Sequence, residues 1–200
     1  MKPIHDSLVA RLEALGFTWQ PTSCKAILQI GLADSPEGFR GWAIADEDLR
    51  LLVVESISPY YCPSDRFSAA CEYIARANSH SFVPGLVIDP SSGRISFRTS
   101  IDARNAELSD QLIDRLLTGN LTSFMTYLRG LLMVIFDHAD PEATLDETLA
   151  AKRRKREAQP SGVLAGSEED LAESHERLLQ TCDEILAEAA AREAGPNDAK

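Results

Sequence analysis

Few side chains in this sequence are placed to do chemistry. Cys62 precedes Pro63 and a helix start, where the positive helix end lowers a thiol's pKa. Tyr60, Tyr61 and Asp65 beside it favour packing or simple exposure instead. His80 lies in Ser79-His80-Ser81, after Asn78. A nucleophilic serine needs a base within hydrogen-bond reach, and neighbours on one chain usually point apart, so a polar loop is the simpler reading. Cys62 and His80 are the residues a small enzyme would use. Asp46-Glu47-Asp48 reads as a charged hairpin tip, and Asp110 with Asp114 as acids favoured at a helix start.

Metal and cofactor signals are missing. His5, His80, His138 and His175 are scattered, and Cys24, Cys62, Cys71 and Cys182 form no CxxC, so no metal ligand set or disulfide framework is expected. Gly38-Phe39-Arg40-Gly41 is a GxxG, which in KH domains clamps nucleic-acid backbone. Here Arg40 is its one basic residue and the element order differs. Neither GxGxxG nor GxxxxGK[ST] occurs, so no nucleotide cofactor is expected.

Thirty-one acidic against 20 basic residues give −11, a field that repels phosphate backbones and anionic lipids. Nucleic acid and membranes are therefore not expected partners. The most apolar stretch, Leu131 to Phe136, is six residues long, against the roughly 20 that cross a bilayer. The start MKPIHDSLVARLEAL lacks a signal-like apolar run, and the cytoplasm is the expected compartment. One segment runs against the charge trend. Lys152-Arg153-Arg154-Lys155-Arg156 packs five cations together, and a regulator touching nucleic acid or an acidic partner would use it.

Elements that hold these residues are legible in the periodicity. Ile4, Leu8, Leu12 and Leu15 mark a helix closed by Gly16. Strands are predicted over Cys24–Leu32, Gly38–Ala45 and Leu49–Ile57, with links short enough for antiparallel hairpins. Ser64 can cap a helix whose inner face is Phe67, Ala70, Cys71, Ile74, Ala75 and Asn78. The Asn78 amide is expected to bond unpaired carbonyls or the following loop amides. Strands Gly85–Asp89 and Arg94–Ser100 follow, then a helix from Ser109 to Leu117 and another from Thr122 through Ile135. The order α-β-β-β-α-β-β-α-α describes an α+β fold, an antiparallel sheet with packed helices.

The chain divides near Asp140. Residues 1–140 carry −5 and every aromatic residue, whereas residues 141–200 carry −6 and no aromatic. The expected organisation is a domain over 1–140, a charged linker over 141–166, and an amphipathic helix over 167–194 in a tail that is otherwise helical or disordered. Leu171, His175, Leu178, Leu179, Cys182, Ile185, Leu186 and Ala189 form its stripe; Glu173, Glu176, Asp183, Glu184 and Glu188 fill other faces. An isolated helix of this length is marginal in water, so the stripe must dock on its own domain, a second chain or a partner's groove.

Residues 4–138 resemble the YbjN family, described as bacterial sensory-transduction regulators and related in fold to type III secretion chaperones. The carriers are the helix Ser64 to Asn78, the segment Gly85-Leu86-Val87-Ile88-Asp89, the turn Ser92-Gly93-Arg94 and the strand Ile95 to Ser100. The loop Ser79 to Pro84 departs from the pattern, since an aromatic usually follows the asparagine directly. The resemblance implies a non-enzymatic module that holds another polypeptide on its sheet and helix surface, within a homodimer. Phe39, Trp42, Tyr60 and Tyr61 are the aromatics to test on that surface, although they fit a core equally well. Leu178 and Ile185 are the corresponding tail residues. The tail stripe would then cover the same surface as a built-in competitor.

Overall fold

The computed structural model describes residues 3–32, 40–81 and 85–158. Helix α1 (Ile4–Ala14) is followed by strands β1 (Phe17–Pro21), β2 (Ile27–Leu32), β3 (Arg40–Asp46) and β4 (Leu51–Tyr61). A 3-10 turn (Ser64–Arg66) leads into α2 (Phe67–Ser79), then come β5 (Leu86–Ile88), β6 (Arg94–Asp102), α3 (Asp110–Phe136) and α4 (Pro141–Ala158). All strands pair antiparallel in one sheet of order β1-β2-β3-β4-β6-β5. The fold is α+β, as the periodicity indicates.

Helices α1 and α3 lie on one face of this sheet, with α2 against β5 and α4 against α2 and α3. Leu8 and Leu12 of α1 and Leu117, Leu121, Phe124 and Leu128 of α3 are buried there. The strands answer with Leu28 and Ile30, Leu52 and Val54, and Ile95 and Phe97. On β3 the inward positions are small, Gly41, Ala43 and Ala45, which lets the helices approach closely. Gly41 is required there, because a Cβ would stand 2.5 Å from the Glu55 carbonyl oxygen.

Polar groups fix the helices on the sheet. Asn120, buried in mid-α3, donates through Nδ2 to the Val54 carbonyl (3.0 Å), the Phe97 carbonyl (3.1 Å) and Thr99 Oγ1 (2.9 Å). Its Oδ1 accepts from Ser56 Oγ at 2.5 Å. Arg11 of α1 donates from Nε (2.7 Å) and Nη2 (2.9 Å) to the two oxygens of buried Asp114, joining residues 103 apart in sequence. Asp114 is thus a latch, a stronger role than the helix-start preference assigned to it.

Five details differ from the sequence reading. A strand, β1, precedes the first one predicted; it turns Phe17 and Trp19 toward the helices and ends at Pro21. Strand β4 runs past Ile57 to Tyr61 through an irregularity that holds two more residues than β6 opposite, and Pro59, which has no N–H to give, sits inside it. The two helices predicted after Ser109 are one, α3; Thr122 is no cap, since its hydroxyl donates back to the Thr118 carbonyl at 2.7 Å. On α2 the inner face is rotated, with Tyr73 and Ala77 buried and Ala75 exposed. Finally, residues 141–158, expected within a linker, form α4. Asp140 Oδ1 accepts from the Ala143 amide (2.9 Å), and Thr144 and Leu145 are buried, so the packed unit continues beyond residue 140.

Candidate functional site

Side chains alternate along a strand, so the residues between the inward ones share the opposite face of the sheet. No described helix packs on that face. Register sets its rows. Ile27, Ile44, Val53 and Ser100 lie opposite one another across β2, β3, β4 and β6. The next row is Gln29, Trp42, Glu55 and Arg98, and the next is Gly31, Arg40, Ile57, Ser96 and Val87. Trp42, Ile44, Val53 and Ile57 are half-buried against one another, while Tyr61 and Val87 are 57% and 41% exposed. The result is an apolar band that no described helix covers.

Its charges separate along the strands. Glu55, enclosed between Trp42 and Arg98, accepts from Arg98 Nη2 at 3.1 Å on each oxygen, while the arginine side chain stays 53% exposed. Arg40 and Arg94 have no ion-pair partner among the described residues. On a chain of net −11, Arg40, Arg94 and Arg98 against Glu55 leave a local excess of two positive charges at one end of the apolar band. The acids sit at the far end, Asp46 accepting from the Leu49 amide (2.8 Å) and Asp102 held low by the Arg104 guanidinium.

The predicted site residues separate accordingly. Trp42 and Tyr61 are on the bare face. Tyr60 is not available as a surface residue: the strand alternation turns it into the core, edge-on to Phe136 with ring centroids 6.1 Å apart. Phe39, Leu178 and Ile185 lie outside the described residues, as do the 167–194 helix and the end of the linker from residue 159.

Cys62 is buried, its Sγ 3.4 Å from the Pro63 carbonyl, and burial raises its thiol pKa, with Cys71 and Asp65 adding to the effect. That is the opposite of an activated thiol. His80 is exposed, with Nδ1 3.0 Å from the Arg76 carbonyl oxygen and 3.3 Å from Ser79 Oγ, both of its own helix end. Cys62 and His80 are kept apart by α2, Cys62 preceding its start and His80 following its end. In the basic run, Lys152 lies 5.2 Å above the Tyr127 ring and residues 152–155 are exposed on α4.

Other perturbed groups serve the fold. Burial pushes Tyr73 up to about 12; its hydroxyl donates to the Tyr127 carbonyl (3.2 Å) over Gly130, where a Cβ would collide with it. The Ser91 hydroxyl (2.6 Å) and amide (2.8 Å) hold Asp89 down to about 2 in the turn before β6. Asn78 does what its position suggested, donating to the Leu86 carbonyl (2.9 Å) and accepting from the Gly85 (3.3 Å) and Leu86 (3.2 Å) amides.

Sequence reading missed the Asn120 cluster, the Arg11–Asp114 latch and the Glu55–Arg98 pair. A signal existed for one of them. Asn120 falls among apolar residues of a helical stripe, where a buried amide must find partners. Among the described residues no three His, Cys, Asp or Glu side chains are grouped to hold a metal, and no helix is long and apolar enough to cross a membrane. Neither protein-family models, curated proteins nor solved structures give a match to the chain.

Proposed function

We propose that this protein is a non-enzymatic binding module that holds an acidic, apolar-striped segment of another polypeptide on the bare face of its sheet. The observation that carries the reading is the apolar band bordered at one end by Arg40, Arg94 and Arg98 on a chain of net −11. Face docking is favoured over strand addition because the edges are short. β1 has five residues and ends in proline, and β5 has three. A helix about 10 Å across, laid over the rows of this face, buries the band. The reading agrees with the YbjN-like and chaperone-like resemblance, which further implies a homodimer.

Two synthetic 20-residue peptides test it. Both carry the same leucine and isoleucine stripe; one has glutamate on its polar faces and the other lysine. Titration into the full chain, followed by calorimetry and tryptophan emission, is expected to show at least about tenfold tighter binding of the glutamate peptide, against the net charge. Arg98→Ala weakens that binding, and Trp42→Phe reduces the emission change. Tighter binding of the lysine peptide, or no binding of either, overturns the proposal.

A further inference from the structure

The C-terminal segment has the chemistry that the bare face selects. Residues 159–200 carry ten acidic against three basic side chains, a net of −7 and most of the chain's excess negative charge. Their apolar residues recur at helical spacing from Leu171 to Ala189. At 1.5 Å per residue that stripe is about 27 Å long, and six strands at about 4.8 Å are nearly as wide. A helix lying across the strands would thus span the sheet with the apolar residues of β2, β3 and β4 under its central part.

The connection is long enough. Helix α4 ends at Ala158, one layer outside α2 and α3, and Pro160 opposes its continuation. Packed helices and sheets are spaced by about 10 Å, so α4 stands roughly 20 Å from the sheet and roughly 30 Å from a helix on its far face. Residues 159–170, which precede the stripe, reach up to about 40 Å when extended. The β5 edge, against which α2 packs, is the sheet edge on the side of α4.

Building on the docking function above, we infer that residues 171–189 occupy the bare face of their own chain, with Leu178 and Ile185 over Trp42, Ile44 and Val53 and the tail acids facing Arg40, Arg94 and Arg98. The chain then carries its own competitor. A partner segment binds by displacing the tail, and its apparent affinity falls by the fraction of chains in which the face is covered.

The test compares the full chain with the full-length double variant Leu178→Asp/Ile185→Asp, using the glutamate-faced peptide, tryptophan emission and light-scattering mass. The expected result is at least about tenfold tighter peptide binding by the variant, red-shifted emission as Trp42 is uncovered, and the same mass for both chains. Equal affinity in the two chains overturns the tail contact and leaves the docking function standing. Absence of binding in both overturns the docking function and the inference with it. A full chain of twice the variant's mass also overturns the inference, since the tail would then join two copies.

Discussion

The two faces of the sheet use polar residues in opposite ways. On the covered face Asn120 is enclosed, and the donors and acceptors of its amide are committed to Ser56, Val54, Phe97 and Thr99. On the bare face Arg98 gives one nitrogen to Glu55 and leaves much of its guanidinium exposed. A polar group between packed layers has to be satisfied on the spot, so it fixes where the helix sits. On an open layer such a group keeps bonding capacity for something outside. The covered face is therefore where stability is concentrated, and the bare face is where substitutions are tolerated by the fold.

The sharpest way to break that contrast is Asn120→Ala. It strands the Ser56 hydroxyl and removes donors from two carbonyls, and should cost about 3 kcal/mol in urea denaturation. A loss below about 1 kcal/mol would remove the distinction. Asn78→Ala is expected to be intermediate, at about 1–2 kcal/mol, because its three bonds are only partly shielded from water. A denaturation midpoint equal to that of the parent chain would show those bonds to be replaced by solvent. The smallest effect is expected from Ile44→Thr on the bare face, less than about 1 kcal/mol by the same measurement. A cost matching that of Asn120→Ala would mean that Ile44 is sealed within the fold.

Much of the fold was legible because periodic residues meet a single neighbour type. Helix α1 ends at Gly16, which adopts φ 73°, and the β5–β6 hairpin turns at Gly93 with φ 72°. Other elements depended on distant partners. Gly119 and Asn120 are poor helix formers, so α3 read as two helices; Asn120 is tolerated because the sheet supplies its hydrogen bonds. Helix α4 read as a linker because its inward face is narrow, with Thr144, Leu145 and Thr148 turned toward α2 and α3. For the candidate site, Trp42, Tyr60 and Tyr61 were visible as strand aromatics, but their faces were not. A one-residue change of register exchanges the two faces of a strand, so Tyr60 and Tyr61 are told apart only by pairing. Arg98 gained its meaning the same way, from lying opposite Glu55.

The order of elements along the chain has a consequence for biosynthesis. All six strands are complete by Asp102, whereas α3, which seals much of their inner face, occupies residues 110–136. While the chain is being made, the sheet therefore has its strands before its main cover, and two apolar faces are open at once. At translation speeds of about 5–20 residues per second, that interval lasts on the order of seconds. Over that time the nascent chain exposes apolar surface to water, and the arrival of α3 is the event that buries the inner face.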